Sequence, residues 1–368
     1  MVKIILAGGG TGGHLYPGVA IAQEFRRQRP DCEILFAITR KKSDQQIVSQ
    51  EGWKYAALPV ESFRGVSWQT VRALGCLAFS IRQAVFLVRE FQPSLIIGLG
   101  AYPSVPMLVA GRWSRVPVVM QEQNLFPGRV NKMLARWAKR VFVSFPATEG
   151  FFPSDLRGKI VLTGNPVRQA GGVPVDGDLR SQYGLEKGKF TLLIFGGSKG
   201  AHTINEAVLE GAADLPNDLA GKLQIIHQTG QEDFEEVKKS YQRIPVKSVV
   251  LPFIYRMMET YQLADLVVCR AGATSVAEIT LLGKPSIMIP YPYAVDDHQA
   301  TNAGELKKAE AAEMIIEREL TGKGLWTMIG ALMEHPEKLS RMREKAKKLG
   351  KPEAASRIVQ ECLHMIAK

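Results

Sequence analysis

At 368 residues, 46% of them hydrophobic, the chain is too long for a single core and apolar enough for two. Its four cysteines (Cys32, Cys76, Cys269, Cys362) lie far apart without metal-ligand spacing, so they read as reduced thiols of a cytoplasmic protein rather than a disulfide framework or a zinc site. The formal charge of +11 lies entirely in residues 1–165, with 21 lysines and arginines against 10 carboxylates, whereas residues 166–368 carry 26 of each. A basic half suits nucleic acid, anionic lipid or a phosphorylated substrate, and equally ordinary solubilising charge.

The first apolar run ends at Gly8, too short for a signal-peptide core, and no uninterrupted apolar stretch approaches the ~20 residues of a membrane span. Short continuous apolar runs predict parallel strands buried on both faces at 3–7, 33–37, 95–98, 116–120, 141–143 and 160–162. Between them, helical patterns fit 17–28, 43–51, 68–91, 104–112 and 128–138. The glycine- and proline-rich stretch 164–188 is the candidate linker. Strands then restart at 190–195, 223–227, 248–251, 266–268 and 286–289, with helices at 202–212, 231–241, 256–263, 274–282, 298–308, 323–334 and 337–348. Gly350 and Pro352 precede a last helix, 353–366.

The stretch 66–91 mixes Val66, Trp68, Val71, Leu74, Phe79, Phe86 and Phe91 with Arg64, Arg72, Arg82 and Arg89. An apolar helix edged with arginine suits an anionic bilayer surface. It also suits a core helix whose arginines snorkel to water. Periodicity does not separate the two.

Twice a strand runs into a glycine-rich turn carrying a hydroxyl and then a histidine. Gly8-Gly9-Gly10-Thr11-Gly12-Gly13-His14 follows the first strand, and Gly196-Gly197-Ser198-Lys199-Gly200-Ala201-His202 follows strand 190–195, 187 positions on from Gly9 to Gly196. Such a turn brings backbone N–H groups up to an anion, usually phosphate, at a helix N-terminus. A second echo joins Leu95–Gly98 and Val116–Met120 to Leu266–Cys269 and Ser286–Ile289. Two echoes in register point to two similar α/β halves facing each other across a cleft.

Gly8-x-Gly10-x-x-Gly13 matches the dinucleotide fingerprint, but Thr39-Arg40-Lys41-Lys42 stands where an NAD site places a carboxylate after its second strand. There is no Gly-x-x-x-x-Gly-Lys-[Ser/Thr], which argues against a P-loop NTPase. Asp176-Gly177-Asp178 resembles a metal-binding pair, but it lies in the linker and is a common chance match. His14 at a loop lip can be a general base near neutral pH, or only a helix-start hydrogen-bond donor. Glu278, on a helix behind Cys269-Arg270-Ala271-Gly272, can accept both hydroxyls of a ribose, or simply be a solvated helix residue.

With these residues in view the chain resembles the MurG family of peptidoglycan N-acetylglucosaminyltransferases. The shared segments are Gly9–His14, Gly100-Ala101-Tyr102-Pro103-Ser104, Gln121-Glu122-Gln123-Asn124, Gly164-Asn165-Pro166-Val167-Arg168, Gly196–Gly200, Phe253-Ile254, Cys269–Glu278 and Asp296–Ala303, in family order along nearly the whole chain. The resemblance implies an α/β fold of GT-B architecture: two Rossmann-like domains, 1–164 for the lipid acceptor and membrane, 165–350 for the UDP-sugar donor. The helix 353–368 is expected to pack back onto the first domain. The implied reaction is inverting transfer of N-acetylglucosamine from UDP-N-acetylglucosamine to the C4 hydroxyl of the muramyl sugar of lipid I, without a cofactor or bound metal.

By position, Ser198 and its glycine loop would hold the UDP phosphates. Ile254 would meet the uracil through its backbone, with Arg168 close to the nucleotide. Glu278 would take the ribose, and Ala273, Thr274, Ser275, Val276 and Ala277 would line the pocket. Gln299 and Asn124 would read sugar hydroxyls. Thr11, Gly12, Gly13 and His14 would face the acceptor diphosphate and attacking hydroxyl, with His14 the catalytic base. His298 and Lys199 stand where some members have glutamine. The implied partners are the donor, lipid I, an anionic membrane at its cytoplasmic face and other cell-wall synthesis proteins, not nucleic acid. The competing readings are a lipid glycosyltransferase with another acceptor such as diacylglycerol, a UDP-sugar 2-epimerase, and a non-enzymatic binder of nucleotide sugars or anionic lipid.

Overall fold

A computed structural model describes residues 1–60, 68–100, 102–168, 179–294 and 297–367, with side chains of the helix at 68–91 described from residue 75 onward. Ala101, the Asp176-Gly177-Asp178 run, Asp296 and the side chains of Trp68, Val71, Arg72 and Leu74 lie outside the described residues, as do Arg64 and Val66. The chain divides into two compact units, Met1–Gly172 with Lys351–Lys368, and Val173–Gly350.

The first unit runs β1 (Lys3–Ala7), α1 (Gly12–Gln28), β2 (Glu33–Thr39), α2 (Lys42–Gln50), β3 (Lys54–Leu58), α3 (Trp68–Phe91), β4 (Leu95–Gly98), α4 (Val105–Trp113), β5 (Val118–Glu122), α5 (Arg129–Leu134), β6 (Val141–Val143) and β7 (Ile160–Leu162). All strands pair in parallel, in the order β3-β2-β1-β4-β5-β6-β7. Strand side chains alternate between faces, so one strand feeds two cores. Ile4 and Leu6 enter the core under α1, and Ile5 and Ala7 the core under α3 and α4. The last helix, Ala354–Ile366, completes the core under α1 with Ile358, Val359 and Cys362.

The second unit runs α6 (Leu179–Gln182), β8 (Phe190–Phe195), α7 (His202–Ala213), α8 (Asn217–Lys222), β9 (Leu223–Gln228), α9 (Phe234–Tyr241), β10 (Lys247–Leu251), α10 (Met257–Leu263), β11 (Leu266–Cys269), α11 (Ala273–Leu282), β12 (Ser286–Met288), α12 (His298–Lys308), β13 (Glu313–Met314), α13 (Gly322–Glu334) and α14 (Pro336–Leu349), and the last helix is α15. Its parallel sheet is ordered β10-β9-β8-β11-β12-β13. Both units are therefore Rossmann-like, the expected fold class. The strand order reverses between β1 and β4 in one and between β8 and β11 in the other. Open α/β sheets bind ligands at the carboxyl ends of the strands beside such a reversal. Both glycine turns leave from those ends.

Four features differ from the sequence reading. β5 runs on to Glu122, past the expected end at Met120, because its polar end is buried and bonded: Gln121 donates to Asn165 Oδ1 (3.1 Å) and Asn131 to Glu122 Oε2 (2.6 Å). The first unit runs to Gly172, past the division expected after Gly164. α1 starts at Gly12 with Pro17 inside it, although a proline reads as a helix start. The short β3, α8 and β13 lack a periodic signal of their own.

Candidate active site

In the first unit the glycine turn is drawn inward. Gly9 and Gly10 take φ of 140° and 90°. Gly10 donates its N–H to Asp44 Oδ2 at 2.7 Å, and the Thr39 hydroxyl donates to the same oxygen at 2.6 Å. Asp44 is buried in the first turn of α2, so a carboxylate does follow the second strand, five residues beyond Thr39 rather than at its end. It serves the loop's backbone. Thr39–Lys42 carry no carboxylate at the end of the second strand, and Asp44 beyond them is turned to the Gly10 N–H and the Thr39 hydroxyl. Thr11 is the N-cap of α1 without a side-chain bond, and Thr11 and Gly13 are exposed while Gly12 is buried.

His14 sits in the first turn of α1, half-buried. Its Nδ1 lies 3.2 Å from the Leu99 carbonyl, just beyond β4, and 3.1 Å from Gln123 Oε1, just beyond β5. Burial lowers the imidazole pKa, partly opposed by these two bonds and by the Asp44 charge. Gln123 in turn donates to the Leu99 carbonyl at 2.7 Å. Asn124 donates its N–H to Glu122 Oε1 at 3.0 Å, and burial pushes the Glu122 carboxyl up against the pull of its N–H donors. Arg168 belongs to this unit, stacked 3.6 Å over the Tyr16 ring and 3.1 Å from Glu51 Oε1.

The second turn is built differently. Gly200 and Gly230 bring two backbones together: a Cβ at Gly200 would fall 1.8 Å from the Thr229 carbonyl oxygen, and one at Gly230 1.9 Å from that of Lys199. Only glycine fits either position. Ser198 is left exposed at the tip. Gln228 ties this turn to a second segment, donating to the Gly197 carbonyl at 2.8 Å and accepting the Ile254 N–H at 2.9 Å. Of the Ile254 backbone, expected to meet uracil, the N–H is thus bonded to Gln228. His202 stands in the open, 3.1 Å from Asp233 Oδ2 and 3.2 Å from Glu206 Oε1, and these carboxylates, Asp233 first, raise its pKa.

Beyond β11, α11 starts at Ala273 after Gly272, which offers no side-chain cap. Ala273 to Ala277 form its first turns, and Glu278 follows on the buried side, accepting from the Tyr261 hydroxyl at 3.2 Å. Gln299, in the first turn of α12, accepts the Tyr291 N–H at 3.1 Å. Buried Arg270 pins the loop before it, donating to the Ile289 and Pro290 carbonyls at 3.2 and 3.1 Å and pairing with Glu317.

The expected residues lie at the carboxyl ends of the sheets, Thr11–His14 and Asn124 in one unit and Ser198, Ile254, Ala273–Glu278 and Gln299 in the other, but Arg168, expected in the donor domain, belongs to the first unit. The glycosyltransferase family 28 N-terminal domain matches residues 4–143, and the C-terminal domain of that family matches 191–358. The chain belongs to glycosyltransferase family 28. A Syntrophus aciditrophicus (strain SB) relative is 42% identical over 99% of both chains. Another, from Geobacter sp. (strain M21), is 41% identical over 97% of this chain and 95% of its own. Both are named UDP-N-acetylglucosamine--N-acetylmuramyl-(pentapeptide) pyrophosphoryl-undecaprenol N-acetylglucosamine transferase. The solved structure of Acinetobacter baumannii MurG superposes with a TM-score of 0.71 at 27% identity, covering 98% of this chain and 99% of that one. The MurG resemblance read from the motifs is borne out. The S. aureus MnaA–UDP co-structure, at TM-score 0.70 and 15% identity over 100% of this chain and 97% of that one, shares the fold.

Sequence reasoning missed Asp44, Gln123, Gln228 and Arg270 as parts of these sites. Gln123 and Arg270 stood inside quoted motifs, which was signal enough to ask what they hold. Asp44 and Gln228 carry no local signal, since each acts on a loop far away in the chain.

Proposed function

We propose that this chain transfers N-acetylglucosamine from UDP-N-acetylglucosamine to the C4 hydroxyl of the muramyl sugar of lipid I, with inversion, at the cytoplasmic membrane surface. The observation that carries the reading is about 40% identity, over nearly the whole chain, to relatives bearing that transferase name. The C4 oxygen forms a bond to the anomeric carbon as the bond from that carbon to the UDP oxygen breaks, and UDP leaves with the electron pair. The hydroxyl proton passes to His14. A lowered pKa suits this, because the imidazole is neutral and able to accept at cytoplasmic pH.

Ser198 and the uncapped start of α11 take the diphosphate. Glu278 takes the ribose hydroxyls, and Gln299 and Asn124 the sugar hydroxyls. Ile254 meets the uracil through its backbone. Thr11–Gly13 and the start of α1 receive the acceptor diphosphate. Radiolabelled sugar should move from the UDP donor onto lipid I. No transfer to lipid I, with transfer to diacylglycerol instead, would replace this acceptor.

The membrane contact is α3. Ser80, Ala84 and Val88 face the core, while Phe79 and Phe86 are 51% and 67% exposed beside exposed Arg82 and Arg89, and neighbouring α4 adds Trp113, 67% exposed. Among the described residues no helix is long and apolar enough to cross a membrane. Exposed aromatic side chains on a helix that also exposes arginines suit an anionic interface. Phe79→Ser with Phe86→Ser should weaken pelleting with anionic vesicles and spare transfer to a soluble acceptor analogue. Undiminished pelleting would remove α3 from this role.

A further inference from the structure

The side chain that decides what His14 can do is Gln123, which is buried and touches no expected substrate group. Its amide can be oriented from its partners alone. Nε2 lies 2.7 Å from the Leu99 carbonyl, an acceptor, so the NH2 faces Leu99 and Oε1 faces the imidazole. The backbone at Gly100, with φ of 81°, lies against that oxygen: a Cβ there would fall 3.0 Å from Oε1 and 3.2 Å from Asn131 Nδ2. Asn131 is itself held by Glu122. The amide is thus held between the Leu99 carbonyl at the end of β4 and the imidazole, with the Gly100 backbone against its oxygen.

Nδ1 of His14 then meets two acceptors, the carbonyls of Gln123 and Leu99. A neutral imidazole has one N–H, and here it belongs on Nδ1. We infer that Gln123 is a positioning residue that fixes the tautomer of His14, holding the proton on Nδ1 and leaving the Nε2 lone pair to accept the hydroxyl proton. The inference rests on the reading of His14 as the base. Around the ring stand Leu99 from the end of β4, Gln123 after β5 and the Asp44 carboxylate of α2, which acts through space. A neutral amide orients the ring without the basicity that a carboxylate in direct contact would add.

Side-chain 15N spectra of the full-length protein with labelled histidine test this, the His14 signals being those lost in His14→Ala. The wild-type pattern should be that of the Nδ1–H tautomer. An Nε2–H pattern overturns the inference without any variant. In Gln123→Leu the Leu99 carbonyl alone is left to hold the Nδ1 proton, so the Nε2–H form should gain population and kcat should fall at least 10-fold, within the ~10⁴-fold that a wrong tautomer costs a catalytic triad, with the donor KM unchanged. In Gln123→Glu the His14 titration should move up in pH and carry the acidic limb of the rate profile with it. A His14 titration that stays put in Gln123→Glu overturns the inference. If the titration moves and the limb does not, Gln123 still orients the ring and the reading of His14 as base fails.

Discussion

The two glycine turns read alike and are built to different ends. The first bends inward: Asp44 takes the Gly10 N–H, and His14 is half-buried with its pKa lowered. The second presents Ser198 outward, and His202 is exposed with its pKa raised by Asp233 and Glu206. A shared strand–turn–histidine pattern therefore specifies a backbone path, not a chemistry. What separates the two histidines is burial in one unit and directly bonded carboxylates in the other. A lowered pKa favours the neutral imidazole, which can take a proton, whereas a raised one favours the imidazolium, which cannot.

The widest gap between the turns should open at the histidines. His14→Ala should lower kcat by about 10²–10⁴-fold, spare donor affinity and abolish the acidic limb of the pH–rate profile. Because the folded pKa of His14 is depressed, that limb should lie below the ordinary imidazole range, activity falling as pH drops through it. A variant that mainly raises the acceptor KM and keeps the limb would make His14 a binding residue.

Next is the packing of the second turn. Gly200→Ala places a methyl group against the Thr229 carbonyl, so the loop must move or the unit must loosen. A loss on the order of 3 kcal/mol is expected, read by chemical denaturation together with donor binding. An unperturbed variant would mean that the two backbones part easily.

Donor binding comes third. Glu278→Ala should weaken UDP-N-acetylglucosamine binding by ~1.5–3 kcal/mol in calorimetry. Tyr261→Phe removes the partner hydroxyl and keeps the carboxylate, so it should cost less. Equal losses would assign Glu278 to packing.

The smallest effect should come from His202→Gln. The pair with Asp233 is largely exposed and weak. A raised folded pKa stabilises the fold below the unfolded imidazole value and is lost as pH rises through the folded one. The variant should cost under about 1 kcal/mol at pH 5 and nothing at pH 9. Transfer activity should be unchanged, and a large loss would erase the distinction between the turns.

The strands and both turns were legible because buried parallel strands are continuous apolar runs and φ above zero asks for glycine. The family residues at the sheet ends were legible through their motifs. What was illegible acts at a distance. The end of β5 looks like loop because Gln121 and Glu122 are polar, and only their partners Asn165 and Asn131 make burial tolerable. The α3 stretch divides its apolar residues between core and surface, a split that composition does not reveal.

The place of α15 bears on synthesis. The first unit's core includes Ile358, Val359 and Cys362, so a ribosome that has finished Met1–Gly172 has not yet made all of that core. At ~5–20 residues per second, the second unit can emerge and fold while the first waits with the groove under α1 open. The order of folding then runs opposite to the order of translation, and a chain released before its last helix would leave apolar β-sheet uncovered for chaperones or proteases to find.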